Sequence, residues 1–401
     1  MNTYWDALYS HSALQIKPSP IRDIFHVIRK PGMISFAGGM PDPDIFPIEQ
    51  FYEATSIIKR EGRDILQYGI TEGYPPLKEF LIEWLKPRLG HKVEMDEMLI
   101  TSGSIQAADL LTLSTIDKDD YVITEEPTFL GTTIDMYNHG ARFICVPCDS
   151  EGMQVEQLPE LIEKARSEGK KIKYIYTIPN FNNPSGATMS LLRRKKLISI
   201  ANQYGIAILE DDPYGYIRFE GEHLPSLFSL DTSGLVIYAG SFSKILAPGT
   251  RVAWCCGNKD IIRKMAVFKQ GVDTCTSVVA QALVYEYCRL GHLDNFLPRI
   301  VEHYRQKRNH MKDALQFHIP QKTASYNIPS GGFFFWVKTP DILAEDLFEK
   351  ALEKNVAFVK GAPFFPNGGG EHHFRLCYTF ASPEMIDEGI RRLAESMEEL
   401  L

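Results

Sequence analysis

The residues that first suggest chemistry lie together: Ser241, Ser243 and Lys244 at the end of the apolar run 235–239, with Arg251 seven positions further on. A run of that length and composition predicts a buried strand, and the turn after it brings two hydroxyls and an amine to the strand's carboxyl end. Open α/β sheets bind ligands at that edge. An amine held against a buried strand is costly to keep charged, and the lowered pKa that results is what a Schiff-base lysine needs at neutral pH. The hydroxyls of Ser241 and Ser243 with the Arg251 guanidinium suit a phosphate. One short segment therefore matches both the aldehyde and the phosphate of pyridoxal phosphate; the plain alternative is a surface lysine following a strand.

Other segments place polar groups in the same way. Thr101-Ser102-Gly103-Ser104-Ile105-Gln106 follows an apolar run and opens a helix, so its free N–H groups form an anion site. Ordinary capping by Ser102 or Ser104 is the competing reading. Phe129 stands where an aromatic platform for a flat cofactor would stand, although a lone Phe is most often core. Asn183 lies in the turn Asn182-Asn183-Pro184-Ser185-Gly186 and has an amide to donate. Asp211 follows an apolar run, where a carboxylate is unstable unless it meets a cation such as a protonated pyridine nitrogen. Arg375, in the strand-like FRLCYTF, needs either an internal carboxylate or the carboxylate of a substrate. The double glycine Gly38-Gly39 permits close backbone approach, and Tyr68 sits in a loop with no evident core role.

Positioning these groups takes at least five apolar strands, near residues 98, 121, 173, 206 and 235, with helical stretches between them. That alternation predicts an α/β fold, a mainly parallel sheet of the seven-stranded type with helices on both faces. Beyond residue 260 the pattern turns helical, with a long helix expected over 298–317. Strand-like segments at 331–337, 356–359 and 374–378 then predict a smaller α+β domain.

Composition narrows the class. The chain has 401 residues, 44% hydrophobic and 23% charged, which is ordinary for a soluble enzyme, and its net charge of −8 argues against a nucleic-acid partner. No stretch has membrane-spanning length, and the first residues lack the pattern of a secretion signal. Seven scattered cysteines suit a reducing, cytoplasmic setting. The C-x-x-C at Cys145 and Cys148 has no second ligand pair at zinc spacing, so no metal is expected.

From SFAGGMPDPDIFP through TSGS, NFNNPSG, EDDPY and SFSK with its later Arg to the final FRL, nearly the whole chain resembles the fold-type I pyridoxal-phosphate aminotransferases. Within them it is most similar to the class I subgroup of 2-aminoadipate, kynurenine and aromatic or branched-chain aminotransferases, which also supplies the effector domain of the MocR regulators. The resemblance implies that Lys244 is the Schiff-base lysine and proton shuttle. It implies that Asp211 pairs with the pyridinium nitrogen and that Asn183 and Tyr214 hold the phenolic oxygen. Gly103, Ser104, Ile105 through its N–H, Ser241, Ser243 and Arg251 would hold the phosphate, and Phe129 would stack on the ring. Tyr68 would reach the phosphate of a neighbouring subunit in a homodimer. Arg375 would grip the substrate α-carboxylate beside Gly39, with Arg22 as a candidate for acidic side chains. Relatives often carry Gln where this chain has Ile105, which also puts Gln106 in doubt as a ligand. The implied domains are 48–285 for the cofactor, and 1–47 with 286–401 for the smaller unit. The implied reaction moves the amino group of an L-amino acid to a 2-oxo acid such as 2-oxoglutarate. A C–S lyase or decarboxylase on the same cofactor is an alternative, and a sensor module of MocR type is another. Such regulators carry a DNA-binding domain ahead of this module, whereas the chain opens almost directly at its arm, so an enzyme is expected.

Overall fold

Short apolar runs buried on both sides must alternate their side chains between two cores, and this is how the large sheet is built. The computed structural model describes residues 4–10, 13–14 and 32–401. After β1 (Ile34–Ser35) come β2 (Met98–Thr101), β3 (Tyr121–Glu126), β4 (Arg142–Asp149), β5 (Gly152–Met153), β6 (Ile172–Thr177), β7 (Ala207–Asp211), β8 (Val236–Ser241) and β9 (Ala253–Cys256). Strands β2 to β9 form one sheet in the order β2-β9-β8-β7-β6-β3-β4-β5. The run β8-β7-β6-β3-β4 is parallel throughout, β9 is antiparallel to both its neighbours, and β5 is a two-residue antiparallel edge.

The two cores separate by residue parity. Ile100, Ile123, Ile175, Ile208, Tyr238 and Trp254 face one side, packed with Leu77, Leu81 and Leu85 of the helix Pro75–Leu89. Leu99, Val122, Tyr176, Leu209, Ala239 and Cys255 face the other. There they meet the helices Ser104–Thr115 and Lys259–Val272. All five expected strands are present, and three unforeseen ones, β4, β5 and β9, join them to make eight. β4 is half-exposed and polar at its ends, so its pattern is weak, and β9 is only four residues long.

The remaining elements form two smaller sheets. β10 (Ser325–Tyr326), β11 (Phe334–Lys338), β14 (His373–Cys377) and β13 (Val359–Lys360) pair antiparallel, while β12 (Val356–Ala357) pairs with β1 in parallel. The expected single segment 356–359 thus divides between two sheets. The long helix runs His292–His318, beginning well before Pro298. Inside a helix proline gives up the bond to the carbonyl four residues back and crowds it, yet the helix continues through Pro298 in its second turn. The helix packs against Pro383–Glu398.

Candidate active site

The carboxyl ends of β6, β7 and β8 and the start of the helix Ser104–Thr115 converge on one cleft. At the end of β8, Gly240 has no room for a side chain, because a Cβ there would collide with the Trp254 indole. The turn of helix that follows, Phe242–Ile245, is capped by Ser241, whose Oγ accepts the Ser243 N–H at 3.0 Å and donates to Ser243 Oγ at 2.9 Å. Lys244 therefore leaves the strand in a fixed direction. Its Nζ donates to the Gly39 carbonyl at 2.8 Å and lies 5.7 Å above the Phe333 ring. Burial pushes this amine down to about 8, and the positive charges of Arg375 and Arg251 act in the same sense.

Asp211 ends β7 on the same face as Tyr176, whose hydroxyl donates to Oδ2 at 3.0 Å. The other oxygen, Oδ1, is buried with no hydrogen-bond partner among the described residues. Burial raises the carboxyl to about 7, and the neighbouring charge of Asp212 adds to the rise. A buried acceptor with one empty oxygen is costly unless a donor arrives, and a protonated ring nitrogen is a donor that also carries the right charge. Asn183 and Tyr214, both buried, stand nearby. Burial drives the Tyr214 phenol upward, and the Asn183 amide bonded to it works the other way.

The anion site is formed by backbone. Gly103 adopts φ of 94°, and a Cβ there would strike the Arg251 guanidinium, so only glycine lets the two approach. Arg251 Nη2 donates to the Ser102 carbonyl at 2.9 Å, and Nη1 reaches Ser243 Oγ at 3.5 Å. Capping by Ser102 or Ser104 does not occur: the helix has no side-chain cap at Gly103, and Ser102 Oγ turns to Asp273 and Thr276. Its first N–H groups are left for an anion. Gln106 is engaged elsewhere, accepting the Ser102 N–H at 2.7 Å and donating to Asp273 at 2.9 Å. Ile105 is 42% exposed, and half-buried Phe129 stands at the start of the helix Leu130–Asn138.

Arg375 sits in the middle of β14, opposite Trp336 and Val359, and is only 1% exposed. Among the described residues no carboxylate lies within ion-pair distance of it. Nη1 donates to Asn183 Oδ1 at 2.7 Å, Nη2 donates to the Ala37 and Gly38 carbonyls at 2.8 and 3.2 Å, and Nε is buried without a partner. The guanidinium lies 4.3 Å over Phe334. Gly39, at φ of 96°, brings the chain close to both cations, since a Cβ would stand 3.7 Å from Arg375 Nη2. Of the two readings of Arg375, an internal carboxylate partner is thereby excluded among the described residues.

Tyr68 is 82% exposed, and Arg22 lies outside the described residues. Sequence reasoning missed Tyr176, which the apolar strand disguised as core. It also missed Glu125, buried at the end of β3, whose carboxylate accepts from Thr177 Oγ1, Ile178 N–H and Asn182 Nδ2 at 2.7, 3.0 and 2.7 Å. Those bonds fix the turn that carries Asn183.

The family model for aminotransferase class I and II matches residues 33–393. The chain belongs to this family. An aromatic-amino-acid aminotransferase of Thermococcus litoralis is 39% identical, covering 98% of this chain and 95% of that protein. A 2-aminoadipate transaminase of Thermus thermophilus is 40% identical, covering 99% and 98%. A kynurenine aminotransferase of Pyrococcus horikoshii, solved with pyridoxamine phosphate, superposes with a TM-score of 0.95 at 39% identity, covering 99% of this chain and 98% of that one. The chain is thus an aminotransferase that uses pyridoxal 5′-phosphate. The open Oδ1 of Asp211 and the side-chain-free cradle at Gly103 fit that cofactor's ring nitrogen and phosphate. Among the described residues, no helix of the aminotransferase is long and apolar enough to cross a membrane.

Proposed function

We propose that this aminotransferase moves the amino group of an L-amino acid of the 2-aminoadipate, aromatic or branched-chain type to 2-oxoglutarate, and that the groups gathered in the cleft divide the work. The observation that carries the reading is Arg375: a buried guanidinium with no carboxylate partner among the described residues, an unused Nε, and Lys244 bonded to the carbonyl of neighbouring Gly39. A substrate α-carboxylate supplies the missing charge through a two-pronged contact.

Bound pyridoxal 5′-phosphate supplies the electron sink that makes the substrate Cα proton acidic. Lys244 Nζ takes that proton and returns it at C4′, and its lowered pKa leaves a useful fraction of free amine near neutral pH. Asp211 Oδ1 stabilises the charge on the ring nitrogen. Asn183 and Tyr214 orient the phenolic oxygen, and Phe129 lies against the ring. Gly103, Ser104 and Ile105 through their N–H groups, with Ser241, Ser243 and Arg251, hold the phosphate. Residues 48–285 act as the cofactor domain, and 1–47 with 286–401 as the smaller one. A cytoplasmic homodimer completes the site, with exposed Tyr68 reaching the partner's phosphate; the exposed Leu66 and Ile70 beside it support an interface there. The relatives' named substrates support the donor class.

Adding a panel of L-amino acids to the holoenzyme without an oxo acid tests this reading through the absorbance of the bound cofactor. Conversion of the band by one donor class, and its restoration by 2-oxoglutarate, is expected. A band that no amino acid converts sinks it.

A further inference from the structure

Tyr176 lies within β6 between apolar neighbours, and its ring packs with Val122 and Leu209 as a core residue would. Its hydroxyl has a different setting. It contacts Asp211 Oδ2 at 3.0 Å and Thr132 Oγ1 at 3.2 Å, and all three side chains are buried. A phenol has one proton. With that proton directed at Asp211 Oδ2, Thr132 becomes the donor to the phenol oxygen, which gives a directed chain from Thr132 through Tyr176 to Asp211. The chain occupies Oδ2 and leaves Oδ1 as the oxygen without a partner.

We propose that Tyr176, backed by Thr132, is the positioning residue of this carboxylate: it holds Oδ2 so that Oδ1 is presented to the cofactor ring nitrogen, and it keeps Asp211 ionised. The proposal rests on Asp211 facing that nitrogen, as read above. The electrostatic surroundings explain why such a residue is needed. Asp212 on the same strand end and Glu125 at the end of β3 place negative charge near Asp211, and the Tyr214 phenol adds no cation. Burial also favours the neutral acid. Against these stands the Tyr176 hydroxyl bonded to Oδ2, with the Ser104 hydroxyl at the helix start acting in the same sense.

The test uses the apoprotein as well as the holoenzyme. The infrared carbonyl band of protonated Asp211 is identified by its loss in Asp211→Asn, then followed against pH. In Tyr176→Phe, which keeps the ring and removes the hydroxyl, the band should persist about one pH unit higher than in the parent. The dissociation constant for pyridoxal 5′-phosphate should rise about tenfold at pH 8. Thr132→Val should move the band in the same direction by less. A titration unmoved in Tyr176→Phe overturns the proposal, even if the variant is less stable; should that variant not fold, an unmoved titration in Thr132→Val overturns it. If Asp211→Asn binds the cofactor as tightly as the parent, the ring-nitrogen reading falls, while the apoprotein titration still decides whether Tyr176 governs the carboxylate.

Discussion

The two faces of the large sheet treat neighbouring carboxylates in opposite ways at the end of β7. On the face toward the helix Pro75–Leu89, Asp212 has every oxygen engaged: Arg88 forms an ion pair with it, Tyr238 donates at 2.9 Å and Asn180 at 2.8 Å. Burial works against its charge, but the Arg88 cation and these bonds hold it below the usual carboxylate range. On the opposite face Asp211 has one bonded oxygen, one empty one, and a carboxyl raised to about 7. The same contrast separates the arginines. Arg88 is paired and lies against the Tyr216 ring, whereas Arg375 has carbonyls, an amide and an unused Nε. A saturated buried charge is framework. An unsaturated one is a site, because the missing partner is the ligand.

The largest break in this comparison comes from the cleft. Lys244→Ala should abolish turnover while the melting temperature stays near the parent's, since its amine has one acceptor among the described residues; turnover at the parental rate would refute its assignment. On the framework side, Arg88→Ala strands Asp212 without its cation and should cost about 3–5 kcal/mol in chemical denaturation. An unchanged midpoint would remove the distinction between the faces.

The two carboxylates should also part in their pH dependence. Between about pH 4 and pH 7 folded Asp211 keeps a proton that the unfolded chain has lost, so its share of apoprotein stability falls as pH rises through that window. Asp211→Asn should remove this fall and stabilise the apoprotein at pH 8 by about 4 kcal/mol at most. Asp212 runs the other way: its contribution is complete above the unfolded pKa and is lost as pH drops through the lower folded one. Parallel melting curves against pH for Asp211→Asn and its parent would contradict the contrast. A smaller effect is expected at the second open cation. Arg375→Ala should raise KM for all amino donors alike, with kcat/KM down about a hundredfold for a lost charged contact of about 2–3 kcal/mol. A loss confined to one donor would mark Arg375 as a side-chain contact.

Much of the cleft was legible because its residues follow buried strands. Lys244, Asp211 and Asn183 each stand where an apolar run gives way to polar groups, and local order along the chain is enough to notice them. Arg375 stood out as a charge inside a strand pattern, yet two partners remained open for it. Only the packed structure removed one, by bringing Asn183 and residues 37–38 to the guanidinium from positions far apart in sequence. β4, β5 and β9 escaped notice, the first for its exposed edge and polar ends, the other two for their length.

The chain by itself determined the five apolar strands that end in chemistry and the family to which that ordered set points, since burial periodicity and turn residues are local properties. The tertiary structure alone decided which buried polar groups are satisfied. Tyr176 and Asp211 are separated by 35 positions, and Arg88 and Asp212 by 124; nothing local tells the hydroxyl from a core ring or the saturated carboxylate from the open one. Hydrogen-bond satisfaction is a property of three-dimensional neighbours, and here it separates framework from site.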